Sequence, residues 1–224
     1  MIKHIIFDCD GVLIDSEILS FAVDEKLLPD YGVLITAGEL ARDFGGVTYG
    51  EMIAALNARF GADIDAVSYQ ARCEVELSRT FETELRAIAG IPDLLGAFSV
   101  PIALASGSDL ARLDQCLRLT SLAGFFEDRV FSAEQVKRGK PAPDVFLLAA
   151  SSCGWMPEYC LVIEDSPSGI HAAKAAGMRS VGFLGGAHRS DRDGDILRDA
   201  GAEYVAGNSA DLRNYLQELG LMSA

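Results

Sequence analysis

Two aspartates separated by one residue, Asp8 and Asp10, directly follow the apolar run Ile5-Ile6-Phe7, and the adjacent acids Glu164 and Asp165 close a second run, Leu161-Val162-Ile163. Acids at i and i+2 repel when buried and ionised together, so the first pair needs a cation or a shared proton. A divalent metal meets that need, and magnesium suits a few carboxylates completed by water and a substrate phosphate. The plain structural alternative for Asp8-Cys9-Asp10-Gly11 is a solvated Asp-Gly turn. Glu164 and Asp165 could likewise cap the helix that follows, which has Pro167 near its start and Gly177 past its end. Capping uses one acid, and a metal gives the second its best use.

Two more residues could serve the same chemistry. Ser106 ends the apolar stretch PIALAS, and its hydroxyl with the free amide of Gly107 could bind a phosphate oxygen where the next helix begins. A helix cap is the other reading of Ser106. Lys140 stands in RGKPAPD, whose two prolines are expected to hold the loop extended and place one positive charge reproducibly. Alone, such a lysine is an ordinary solvated side chain.

The elements that must position these groups follow from periodicity. Residues Ile2 to Phe7 read as a buried strand. From Ser16 to Ala87 the pattern is helical, as in FAVDEKLL, YGEMIAALNARF and SYQARCEVELSRTF, with no convincing strand. After Pro92, strands alternate with helices: PIALAS and LARLDQCLRL, RVFS and PDVFLLAASS, LVIED and SGIHAAKAA, SVGFL and DRDGDILRDA. The expected fold is α/β, a doubly wound, Rossmann-like parallel sheet built from residues 1–15 and 88–224, with an all-helical cap inserted over 16–87. Such sheets collect ligands at the carboxyl ends of their strands, and every polar cluster above falls at one.

Composition narrows the partners. A formal net charge of -14 opposes nucleic acid and anionic membrane surfaces. No apolar run reaches the roughly 18 residues of a membrane span, and the chain passes from Met1 straight into a strand without a basic, cleavable leader. Five scattered cysteines without a CxxC pair read as reduced thiols, so a cytoplasmic location is expected. Cys9 lies between two acids that disfavour its thiolate, which argues against a redox role.

Taken in order, the four clusters resemble the motifs of the haloacid dehalogenase superfamily, specifically its helical-cap branch that includes the beta-phosphoglucomutases. The first motif is Asp8-Cys9-Asp10-Gly11-Val12-Leu13-Ile14-Asp15-Ser16, the second Ser106, the third Lys140-Pro141, and the fourth Glu164-Asp165-Ser166 with Gly169, Ala172, Ala173, Ala176 and Gly177. The resemblance spans the whole chain. It implies a phosphatase in which Asp8 attacks phosphorus to form an aspartyl phosphate and Asp10 serves as general acid and base. It also implies Mg2+ held by Asp8, the backbone carbonyl of Asp10 and Asp165, with Glu164 close by, and a small phosphorylated metabolite as substrate, acted on by a monomer.

Within that family Asp10 argues against dehalogenation. The mutases carry a histidine where this chain has Ser20 and an arginine where it has Tyr49, so hydrolysis is expected over mutase action. The cap loop Phe44-Gly45-Gly46-Val47-Thr48 falls where the family selects its leaving group, and a helix-ending turn is its alternative. Arg42 and Tyr49 are expected at the surface. His4, His171 and His188 match no catalytic position and are expected at the surface or behind the site. A phospho-receiver signalling domain combines similar residues, but its phosphorylated aspartate comes later in the chain and no helical insert follows its first acids.

Overall fold

The computed structural model describes residues 1–45, 47–189 and 193–222, and the chain divides into two units, Ser16–Leu85 and the remainder. The second crossing falls two residues earlier than expected. Arg86 and Ala87 belong to the larger unit because the Arg86 carbonyl accepts from Asp15 N at 3.1 Å and Ala87 bridges Ile14. No helix among the described residues is long and apolar enough to cross a membrane.

The inserted unit is helical: α1 (Ser16–Leu27), α2 (Ala37–Phe44), α3 (Tyr49–Phe60) and α4 (Ala66–Glu84). Capping boxes start α2 and α3: the Thr36 and Thr48 side chains accept from the amides of Glu39 and Glu51, whose carboxylates reach back to the threonine amides. Leu28, Leu40, Leu56 and Tyr69 are fully buried in its interior. Among them lies Asp24, only 1% exposed, accepting from Tyr69 Oη at 2.9 Å and from the Cys73 thiol at 3.4 Å. Tyr49 departs from the surface position expected of it. Its hydroxyl lies 3.1 Å from Ser20 Oγ and its ring packs near that of Tyr69, a neighbour from another helix that α3 periodicity does not reveal. Arg42 is exposed as expected, paired with Asp43.

The larger unit holds a parallel sheet of β1 (His4–Phe7), β2 (Ile102–Ser106), β3 (Val130–Ser132), β4 (Cys160–Glu164), β5 (Arg179–Phe183) and β6 (Tyr204–Ala206), in the order β3-β2-β1-β4-β5-β6. Its helices are α5 (Ile91–Leu95), α6 (Leu110–Leu119), α7 (Ala123–Phe126), α8 (Asp144–Ser152), α9 (Pro167–Ala175), α10 (Asp193–Ala200) and α11 (Ser209–Glu218). Successive side chains of β1 point to opposite faces. Ile6 packs into a cluster with Phe146 and Ala149 of α8 and Ala172 and Ala173 of α9, whereas Phe7 meets Phe98 and Phe126 edge-on. Burial on both faces explains why the central strands are continuous apolar runs. The strand order reverses between β1 and β4, so the crevice beyond their carboxyl ends is the binding position for this topology.

Burial pushes the Asp24 carboxyl up from 3.8 to about 6. Its folded value lies above its unfolded one, so the contribution to stability is complete below about 3.8 and is lost as pH rises through about 6. A shift of this size corresponds to about 3 kcal/mol. Asp24→Asn should therefore gain thermal stability relative to the wild type between pH 4 and pH 7.5. Melting curves of both proteins at the two pH values measure this, and a pH-independent difference would contradict it.

Candidate active site

Asp8 follows the last residue of β1, and its amide still donates to Ile163 O of β4 at 3.0 Å, which sets the first motif beside the fourth. Glu164 ends β4 and Asp165 comes next, so oxygens of Asp8, Glu164 and Asp165 all lie within 4.8 Å of one another, and all three residues are buried. Lys140 enters from the β3–α8 connection and donates to Asp8 Oδ1 at 2.7 Å and to Glu164 Oε1 at 2.8 Å. Its loop is a turn closed by Ala142 N donating to Gly139 O at 3.0 Å, not the extended segment the prolines suggested.

Two glycines make this crowding possible. Gly11 has φ +72°, and a Cβ there would stand 2.1 Å from Asp165 Oδ2. A Cβ on Gly169 would stand 1.7 Å from Glu164 Oε1, so the first turn of α9 accommodates the Glu164 side chain only because it has none.

The capping alternatives are now decided. Ser166, not either acid, caps α9: its Oγ accepts from Gly169 N at 3.1 Å, while Ser166 N and Oγ donate to Glu164 Oε2 at 2.7 and 2.9 Å. Asp109, not Ser106, caps α6 by accepting from Arg112 N at 2.8 Å. Ser106 Oγ instead accepts from Ser108 N at 3.1 Å, and open space surrounds the neighbouring Gly107. Asp10 is more exposed than Asp8. Ser108 Oγ donates to its Oδ2 at 2.7 Å and Arg112 Nη2 to its Oδ1 at 3.1 Å.

Burial pushes the Asp8 carboxyl well above the usual range, and the charges of Glu164 and Asp165 push the same way while Lys140 pulls back. Burial would lower the Lys140 ammonium, but Asp8 and Glu164 together hold it above its ordinary value. Asp165 goes the other way: burial opposes ionisation, yet His188 and Arg189 beside it lower its carboxyl. Burial, and then the charges of Asp10 and Asp8, raise the Cys9 thiol and disfavour its thiolate.

A family model of haloacid dehalogenase-like hydrolases matches residues 2–177. This chain belongs to the haloacid dehalogenase-like hydrolase family. It is 32% identical over 97% of its length to a phosphorylated carbohydrates phosphatase of Thermotoga maritima, of which 99% is covered. It is 27% identical to the 6-phosphogluconate phosphatase of Escherichia coli, with 84% of this chain and 85% of the relative covered. A family hydrolase from Deinococcus radiodurans, solved with bound phosphate and sodium, superposes with a TM-score of 0.85 at 31% identity over 100% of this chain and 99% of that one. The chain is an enzyme of this family and a phosphatase by reaction class.

The carboxylate cluster fits the cation that family phosphatases use. Three buried acids converge on one point with oxygen donors only, the donor set that magnesium prefers. Sequence reasoning missed Ser108, Arg112 and Arg189; the repeat of serine in Ser106-Gly107-Ser108 was the available signal for the first, while the two arginines arrive through tertiary packing. His188 has its side chain only 2% exposed, with Nε2 3.2 Å from Asp165 Oδ2. His4 stacks on Trp155 and His171 is exposed. In the inserted unit Gly45 ends α2, donating to Ala41 O at 3.0 Å, Val47 is exposed, and the Thr48 hydroxyl is engaged in capping α3; Gly46 lies outside the described residues.

Gly169→Ala should force Glu164 off Lys140 and destabilise the protein by about 1–3 kcal/mol, the usual range for overpacking. Denaturant unfolding of variant and wild type checks this. Unchanged stability would mean that Glu164 has a second accommodating rotamer.

Proposed function

We propose that this enzyme hydrolyses a small phosphorylated carbohydrate or sugar acid through an aspartyl phosphate on Asp8. The observation that carries the reading is the Lys140 ammonium lodged between Asp8 and Glu164, with Asp165 converging on the same point. An anionic nucleophile approaching an anionic phosphate requires such neutralisation.

In this reading Asp8, the backbone carbonyl of Asp10 and Asp165 would hold Mg2+, with Glu164 close by, and the ion would supply positive charge that offsets the phosphoryl oxygens. Asp8 attacks phosphorus in line with the leaving oxygen. Ser106 and the amide of Gly107 bind phosphoryl oxygens, and Lys140 offsets their charge. Asp10 protonates the departing alkoxide, which leaves poorly without a proton, and then takes a proton from the water that cleaves the aspartyl phosphate. Ser108 and Arg112 hold its two oxygens and thereby aim it.

The substrate class rests on the carbohydrate and sugar-acid phosphatases among its relatives. The loop Gly45, Gly46, Val47 and Thr48 is the segment we assign to choosing the leaving group. Hydrolysis is favoured over mutase action by the inserted unit itself. Ser20 and Tyr49, which stand where the mutases carry a histidine and an arginine, are neutral and bond to each other at 3.1 Å, so neither offers a positive charge to a second phosphate.

Asp8→Asn should abolish phosphate release from 6-phosphogluconate and hexose phosphates, because an amide is no anionic nucleophile; appreciable turnover would sink the covalent route. Asp10→Asn should lose roughly two to four powers of ten in rate, and a loss within threefold would remove its assigned role. With beta-glucose 1-phosphate and a trace of the 1,6-bisphosphate, inorganic phosphate should appear faster than glucose 6-phosphate, or the sugar should be ignored. Coupled assays on one sample decide it, and isomerisation tenfold faster than release would favour the mutase.

A further inference from the structure

The segment after β5, Gly185-Gly186-Ala187-His188-Arg189, has no place in the four motifs, yet it converges on Asp165. Arg189 donates through Nε and Nη2 to Asp165 Oδ2, at 3.2 and 3.0 Å, with its side chain only 7% exposed. Its Nη1 lies 4.0 Å from Asp193 Oδ1 at the start of α10. The buried His188 ring brings Nε2 within 3.2 Å of the same Oδ2, and neither of its ring nitrogens makes a hydrogen bond. Ala187 N ties the segment to the first motif by donating to Asp15 Oδ1 at 3.0 Å, and Arg189 N closes a turn within it by donating to Gly186 O at 3.0 Å.

Every one of these contacts falls on Oδ2, and no hydrogen bond reaches Asp165 Oδ1 among the described residues. A carboxylate with one oxygen held by a rigid fork has lost most of its freedom to rotate, so its other oxygen is presented in one direction. An arginine fork fixes direction as well as charge, which a lysine cannot do.

We propose that Arg189 is a positioning residue for the divalent-cation site: it holds Asp165 Oδ2, backed by His188, and so reserves Oδ1 for the cation. The proposal rests on the reading that Asp8 and Asp165 hold Mg2+, and goes beyond it by giving His188 and Arg189, after β5, a part in that site. Hydrogen bonding of a ligating carboxylate from behind is the usual way an outer residue raises metal affinity.

Calorimetric titration of the metal-free protein with MgCl2 tests this directly, without reference to any phosphorylated substrate. Arg189→Met should bind Mg2+ roughly 10–100-fold more weakly, the usual loss when such a partner is removed. Arg189→Lys should fall between it and the wild type, and it carries the test if the Met variant does not fold. At saturating Mg2+ the turnover number of either variant should return to within threefold of wild type, a recovery that general loss of structure would not allow. Equal binding by wild type and variants would overturn the role of Arg189 while leaving the metal reading intact. Tighter binding by the variants would overturn it too, making the guanidinium a competitor for the cation's place. No Mg2+ binding by the wild type would bring down both.

Discussion

Three buried carboxylates that converge on one point, two of them held by a single ammonium, are the constraint around which the larger unit is organised. At such distances and in a poorly solvated crevice, like charges cannot all persist without close counter-charges. Lys140 supplies one from the β3–α8 turn, and Arg189 another from beyond β5. Each depends on the sheet order, which brings the ends of β1 and β4 side by side, and on two positions where a side chain is forbidden, Gly11 and Gly169. The geometry of the acid cluster and the packing of α9 against β4 are thus one problem with one solution.

The two aspartates of the first motif occupy different surroundings although one residue separates them. Asp8 sits deep, against Lys140 and the other acids; Asp10 lies nearer solvent, between a serine and an arginine. Paired carboxylates in unlike environments can divide nucleophilic and proton-transfer work. Ser108 helps fix the surroundings of Asp10 from two sides, since its hydroxyl holds Asp10 while its carbonyl accepts from Ser132 Oγ at the end of β3.

Much of this was legible in the sequence because the decisive signals are local. Apolar runs ending in Asp8, Ser106 and Glu164 announce strands with functional ends, and helical periodicity marks the insert. What stayed hidden depends on long-range meetings. Arg112 and Arg189 look like surface arginines until the fold brings them to Asp10 and Asp165. The half-burial of Tyr49 requires Tyr69, from another helix. The strand β6 is only Tyr204–Ala206, too short and too mixed to stand out. The acids of the fourth motif and Ser106 were each open to a capping reading, because type and spacing cannot say which of several adjacent polar residues takes the cap; Ser166 and Asp109 take it.

The chain leaves the larger unit after Asp15 and returns at Arg86, and these two points are joined: Asp15 N donates to Arg86 O at 3.1 Å, Ile88 N to Leu13 O at 3.0 Å, and Ile14 bridges Ala87 in antiparallel fashion. Exit and entry therefore form the two rails of a short ribbon, closed by hydrogen bonds of the larger unit itself. For descent with modification this is a socket. Changes of length or sequence between Ser16 and Leu85 enter and leave through one neck, so they need not disturb the register of the strand ends that the neck belongs to.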